Sequence, residues 1–109
     1  MIIRVVRMTF RPEQVDHFRA LFADWAPRIR HFPGCRYLEL WRDINDARVF
    51  FTHSHWDGPE DLERYRTSDV FGEVWPVVKA LFEAPAEAWS VELEHRSDTP
   101  PPIGTVLSW

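Results

Sequence analysis

Three observations in the sequence predict an α+β domain in which helices cover one face of an antiparallel sheet. Residues 15–29 carry apolar side chains at intervals of three and four, which is the spacing of one helix face. Residues 37–42 then alternate in polarity, as the residues of a half-buried strand do. Pro33 and Gly34 separate the two patterns, because proline cannot continue a helix and glycine can adopt the positive φ that reverses the chain.

The first half of the chain is predicted to form a strand, a helix and a hairpin. Residues 2–10 are rich in β-branched side chains and form the first strand. The helix opens with Pro12, which suits a first turn, and runs to about His31. Strands at residues 35–43 and 48–56 follow, and the Asn and Asp residues between them favour a tight turn.

The second half is predicted to form two helical stretches and a last strand. Pro59 opens the first stretch, and Ser68 caps the second. The apolar stripe of the second stretch covers residues 71–82, and Pro85 is expected to end it. Residues 88–94 alternate in polarity and form the final strand. The resulting β-α-β-β-α-β order is that of a ferredoxin-like fold with a four-stranded antiparallel sheet.

The chain of 109 residues is long enough for one domain. We expect residues 1–94 to form the folded unit and residues 95–109 a proline-rich tail, which either is disordered or packs on a partner subunit. Six Trp and eight Phe residues provide more apolar surface than a domain of this size usually buries. The sheet face without helices also needs a cover, so a homodimer is expected.

Composition also argues against several classes of function. A net charge of −4 with no basic stripe does not suit a general nucleic-acid binder. The single cysteine, Cys35, excludes an internal disulfide and a multi-cysteine zinc site. No apolar run approaches the roughly 20 residues of a membrane span, and the first residues have the pattern of a strand rather than of a signal peptide. We therefore expect a soluble, cytoplasmic protein.

Several short motifs together resemble the antibiotic biosynthesis monooxygenase family. They are the FPGC joint at residues 32–35, the HWD end of the hairpin at residues 55–57, and SDVF at residues 68–71. The resemblance extends over residues 1–94. It implies a dimeric α+β barrel with a pocket between helices and sheet in each subunit. It also implies activities that include cofactor-independent oxygenation of polycyclic phenols, quinol oxygenation and haem degradation.

The haem-degrading branch of this family uses an Asn on the first strand, a Trp before the SDVF motif and a His one turn after it. The matching positions in this sequence hold Val6, Tyr65 and Trp75. None of these side chains reproduces the Asn contact or an imidazole ligand to iron. The sequence therefore argues against haem degradation by that mechanism.

Cofactor-free oxygenation needs a substrate anion that reduces dioxygen directly, so the protein must favour ionisation and exclude water. His53 and His55 are the candidates for the catalytic base, since their two-residue spacing places both on one face of a strand. Two alternatives remain open for this pair. They either form structural or interface hydrogen bonds, or bind a metal ion for which no third ligand is identifiable.

Four residues are the candidates for substrate binding. Trp56, Tyr65 and Trp75 would supply aromatic walls and one hydroxyl, although aromatic residues at this spacing also suit a plain core. Arg4 would hold a substrate oxyanion, and its alternative is a salt bridge to a glutamate on a neighbouring strand, at position 39 or 92.

Two functions are consistent with these residues. The first is a homodimeric oxygenase that uses dioxygen, without cofactor or metal, to oxidise a flat phenolic, quinol or anthrone-like molecule. The second is a non-catalytic dimer of the same fold, which either binds small molecules or is purely structural. An open aromatic cavity would favour the first, and Trp75 packed flat against Trp56 without a cavity would favour the second.

Overall fold

The structure of this protein is a computed structural model and describes residues 1–97. Most of the predicted tail therefore lies outside the described residues. A short 3₁₀ turn at Pro12–Gln14 precedes the first helix. The elements in chain order are β1 (Ile2–Phe10), α1 (Val15–Arg30), β2 (Cys35–Arg42), β3 (Val49–Trp56), α2 (Pro59–Arg66), α3 (Asp69–Lys79) and β4 (Phe82–Val91). No helix in this part of the chain is both long and apolar enough to cross a lipid bilayer.

The four strands form one antiparallel sheet in the order β2-β3-β1-β4. The α+β ferredoxin-like fold predicted from the sequence is thus confirmed. Side chains alternate between the two sheet faces, so even-numbered residues of β1 and β3 point towards the helices and odd-numbered ones point away. We call these the inner and the outer face of the sheet. This alternation decides which candidate residues reach the site.

Local signals explain where the helices begin. Pro12 lies in the first turn of the 3₁₀ segment, and Pro59 opens α2, positions where its missing N–H costs no helical hydrogen bond. The Ser68 hydroxyl accepts a hydrogen bond from the Phe71 backbone N–H at 3.2 Å, so it caps α3 as predicted. The cap fixes the start of the helix that carries Trp75.

The last strand differs from its predicted bounds. Helix α3 ends at Lys79, and β4 begins at Phe82 rather than at residue 88. Pro85 therefore lies inside a strand instead of ending a helix, which is possible because β4 is an edge strand and one of its sides needs no ladder hydrogen bond. Phe82 continues the spacing of the helical stripe by coincidence, and its ring packs on Phe10 of β1.

The main core lies between the inner sheet face and helices α1 and α3. Phe10 and Phe18 stack at 4.0 Å between ring centroids, and Phe50 packs edge-on against both. A second cluster of Cys35, Trp56 and Leu62 lies under α2. These two clusters fix the helices on the sheet and leave a space between them.

The joint between α1 and β2 depends on Gly34, whose φ is +89°. A Cβ atom there would lie 2.5 Å from the Cβ of Asp61, so Gly34→Ala combines strain with a clash. We expect it to lower the free energy of unfolding by more than about 1 kcal/mol, measured by urea denaturation. The matched control is Gly72→Ala in α3, where a Cβ meets nothing within 4 Å and the expected change is a gain of about 0.5–1 kcal/mol. Equal effects of the two substitutions would contradict this account.

Candidate functional site

A cavity of about 360 Å³ lies between the helices and the inner face of the sheet. Its polar lining on the sheet comes from Arg4, Thr52 and Ser54, and its apolar lining includes Val6. Helices α1, α2 and α3 supply the opposite wall, which is largely aromatic: Phe18, Phe22, Trp25, Tyr65, Phe71 and Trp75. The volume and the mixture of aromatic walls with few polar groups are typical of a small-molecule site.

Trp56 is both a core residue and a wall of the cavity. It is almost completely buried, and its indole N–H donates a hydrogen bond to the Ser54 hydroxyl at 3.0 Å. The Tyr65 ring stacks on it with 4.9 Å between centroids and 24° between planes. The two alternatives that the sequence left open for Trp56 thus coexist in one side chain.

Tyr65 presents a phenol to this cavity from α2. Burial raises the pKa of Tyr65 to about 12, and nearby Cys35 adds to this effect. The hydroxyl is therefore protonated near neutral pH and acts as a hydrogen-bond donor rather than as a base. In residues 1–97 no protein group hydrogen-bonds to it, which leaves it available to a ligand.

Trp75 lines the cavity from α3 without filling it. Its indole lies nearly parallel to the Phe71 ring, with 5.6 Å between centroids and 14° between planes. Its other aromatic neighbour is Phe82 of β4, which it meets edge-on. Because Trp75 packs on these two rings and Tyr65 occupies the face of Trp56, the space between helices and sheet stays open.

Arg4 is half-buried on β1 and lines the cavity. Its guanidinium donates to the Ser90 hydroxyl at 3.0 Å, and within residues 1–97 no Asp or Glu oxygen lies within 4.0 Å of it. The salt bridge to Glu39 or Glu92 that the sequence allowed does not form. Burial, and secondarily the charge of Arg66, lower the pKa of Arg4 from its usual value.

His53 and His55 lie on the outer face of the sheet and do not line the cavity. Their Nε2 atoms are 3.2 Å apart, and their rings stack against Trp41 and Tyr37, respectively. Burial, then the neighbouring His53, lower the pKa of His55. No group of three or more His, Cys, Asp or Glu side chains in residues 1–97 is placed to hold a metal ion.

Sequence reasoning missed one charged residue of the site, Arg66. It is the last residue of α2, is exposed, and lines the cavity. The sequence spacing could have identified Arg66 as a neighbour of the site. Leu62, Tyr65 and Arg66 stand at positions i, i+3 and i+4 and therefore share one helix face.

Several solved structures share this fold. A crystal structure of an antibiotic biosynthesis monooxygenase has a TM-score of 0.80 at 18% identity, covering 85% of this chain and 98% of that one. A conserved protein from Methanosarcina mazei Go1 has a TM-score of 0.78 at 21% identity, with coverages of 84% and 91%. A Deinococcus radiodurans protein assigned to the antibiotic biosynthesis monooxygenases has a TM-score of 0.81 at 18% identity, with coverages of 93% and 100%.

Sequence comparison gives the family directly. No curated protein matches the chain by sequence. The sequence profile of the family described as Antibiotic biosynthesis monooxygenase matches residues 1–75. That match includes β1, α1, the hairpin, α2 and most of α3, which together carry nearly all the cavity residues described above. The chain belongs to the antibiotic biosynthesis monooxygenase family.

Proposed function

We propose that this protein is a cofactor-independent monooxygenase that binds a flat phenolic, quinol or anthrone-like molecule between its helices and sheet. The observation that carries the proposal is the open cavity of about 360 Å³ walled by Trp56, Tyr65 and Trp75. Flat aromatic walls favour a flat aromatic ligand, because stacked and edge-on contacts add to the burial of apolar surface. Membership of the family supports the reaction class.

In the proposed reaction the substrate supplies all the electrons. An anthrone-like methylene loses a proton, and the resulting carbanion transfers an electron to dioxygen. The two radicals combine into a peroxide anion, which takes up the proton that the methylene released and becomes a hydroperoxide. Loss of the second proton from the same carbon then breaks the O–O bond and forms a ketone. One oxygen atom stays in the product and the other leaves as water, so no further reductant is needed.

The proton step depends on the substrate's own acidity. In residues 1–97 neither an imidazole nor a carboxylate lines the cavity, and Tyr65 is a donor. We therefore assign to Arg4 the role of favouring the ionised substrate, since a guanidinium stabilises a developing oxyanion. Tyr65 donates a hydrogen bond to the same oxygen or to a second one. His53 and His55 have no part in this proposal.

The competing function is a non-catalytic binding module. A binding module would use the same cavity but would not convert its ligand, so dioxygen consumption distinguishes it from a monooxygenase. We expect metal-stripped protein to consume dioxygen with an anthrone or a naphthohydroquinone and to release the corresponding ketone or hydroxyquinone, each with one oxygen atom from dioxygen. Tight binding of these molecules without protein-dependent uptake would instead support the binding module.

Tyr65→Phe tests the polar contact within the cavity. Loss of one hydrogen bond to a charged oxygen should lower kcat/KM about 10-fold or more in the dioxygen-uptake assay. Tyr37→Phe is the matched control, because Tyr37 lies on the outer face of the sheet, and it should leave kcat/KM unchanged. Unchanged turnover of Tyr65→Phe would remove Tyr65 from the mechanism.

We also propose that two copies of the chain pair through the outer face of the sheet. Exposed apolar side chains gather there, and a contiguous apolar patch of this kind marks an interaction surface. They are Tyr37, Trp41, Trp89 and Val91. His53 and His55, on which Trp41 and Tyr37 stack, continue the same surface on β3. In a homodimer, the patch of one copy covers the same patch of the other copy, so a single self-complementary contact buries both.

Val91→Glu tests this contact, because a buried unpaired carboxylate opposes association. We expect light scattering over a concentration series to give the mass of a dimer for the unmodified protein and of a monomer for Val91→Glu. Val77→Glu is the matched control, since Val77 is 43% exposed against 44% for Val91 but lies on α3. An unmodified protein that is monomeric at every concentration would contradict the proposal.

A further inference from the structure

Two guanidinium groups face the same cavity. Arg4 reaches it from β1 and Arg66 from the end of α2. They lie close enough for the charge of Arg66 to lower the pKa of Arg4. Two like charges beside an apolar cavity repel each other, and this repulsion is relieved when an anion binds between them.

Neither guanidinium has an effective counter-ion within residues 1–97. Arg4 donates to the neutral hydroxyl of Ser90. Arg66 approaches only Glu63, at 3.6 Å and one turn earlier on the same helix, and both side chains are largely exposed. An exposed pair of this kind neutralises little charge. By contrast, Arg48 on the hairpin lies between two carboxylates, with distances of 2.9 Å and 2.7 Å.

The cavity also contains no negative charge of its own, since none of its lining residues is Asp or Glu. Its charged groups are therefore both positive, while its remaining walls are apolar or carry neutral hydroxyl and indole groups. A neutral phenol would use the aromatic walls but leave this charge unpaired. A flat aromatic ligand with an acid group would contact the aromatic walls and also pair with the positive charge.

We propose that the ligand of this cavity is an aromatic acid, that is, a flat hydroxylated ring system that carries a carboxylate. The exposed Arg66 pairs with the carboxylate, and the half-buried Arg4 faces the ionisable hydroxyl. Guanidinium groups suit this role because their planar donors match the two oxygens of a carboxylate. The inference rests on the proposed function and narrows its substrate class.

Three naphthalenes of nearly equal size test it: 2-naphthol, 2-naphthoate and 3-hydroxy-2-naphthoate. Binding to the unmodified protein is measured by isothermal titration calorimetry at fixed pH and salt concentration. We expect 3-hydroxy-2-naphthoate to bind about 10-fold or more tightly than 2-naphthol, which is the ratio that one charge-assisted pair supplies. Equal dissociation constants for these two ligands would overturn the inference and leave the proposed function standing. If 2-naphthol and both naphthoates fail to bind, the proposed function fails together with the inference.

Arg66→Gln should raise the dissociation constant of 3-hydroxy-2-naphthoate towards that of 2-naphthol and so remove this preference. Arg66→Lys keeps the charge and should retain part of the preference. The matched control is Arg64→Gln, because Arg64 stands two residues earlier on α2, pairs with Asp61 and does not line the cavity. Equal losses in Arg66→Gln and Arg64→Gln would mean that the naphthoates respond only to overall charge, which would also overturn the assignment.

Discussion

Ala88→Trp should raise the dissociation constant of 2-naphthol at least about 10-fold while the protein stays folded. Ala88 lines the cavity from β4, opposite Val6 in the sheet, and is itself exposed. An indole at this position extends into the space that a flat ligand would occupy. Because an exposed alanine is replaced, we expect the free energy of unfolding to change by no more than about 0.5 kcal/mol.

Ala84→Trp is the matched control for this experiment. Ala84 is an exposed alanine of the same strand, and it does not line the cavity. The two variants add the same side chain to the same strand, one at a position that lines the cavity and one at a position that does not. If Ala88→Trp binds 2-naphthol as tightly as Ala84→Trp does, the ligand site lies elsewhere. Dioxygen uptake measured on both variants extends the test from binding to turnover.

Phe10→Ala should cause the largest loss of stability, about 3–5 kcal/mol in the free energy of unfolding. The Phe10 side chain is 0% exposed and contacts three other rings: Phe18, Phe50 and Phe82. Removing it gives up the transfer free energy of the ring and leaves a void that close-packed neighbours fill only in part. The measurement is urea denaturation at one fixed protein concentration, because association would add to apparent stability.

Two further variants keep this prediction testable if Phe10→Ala does not fold. Phe10→Leu preserves most of the volume and should cost about 1–1.5 kcal/mol. Ile44→Ala is the exposed control, since Ile44 is 96% exposed in the hairpin turn, and its effect should stay within about 0.5 kcal/mol. A similar loss for Phe10→Leu and Ile44→Ala would contradict the position of Phe10 at the centre of the core.

Much of the fold was predictable because its signals are local. Helical spacing in α1, alternation in β2 and the Ser68 cap each depend on neighbouring residues, and all three agree with the structure. The prediction for β4 was wrong at its start, because Phe82 continues the helical spacing and Pro85 looks like a helix terminator. Only the position of β4 at the sheet edge, a property of the whole fold, makes a strand through Pro85 possible.

The site, like the fold, was predicted from the sequence only in part. Sequence spacing predicted that Tyr65 and Trp75 face the sheet, and both line the cavity. It also predicted that His53 and His55 share one strand face opposite Trp56. Which face meets the helices depends on strand register, because a shift of one residue exchanges the two faces. The register of β1 against β3 turns both histidines away from the cavity.

The sequence by itself determined the element order and the aromatic character of the protein, since periodicity, capping and composition act over a few residues. The family followed from the resemblance of its short motifs and from the match over residues 1–75. Tertiary structure alone decided that the cavity stays open, because this depends on Trp75 packing against Phe82 of β4 as well as against Phe71 of its own helix. It also brought Arg4 and Arg66 to one cavity from distant positions in the sequence. Contacts between distant segments arise from the packing of whole elements, and no local pattern specifies them.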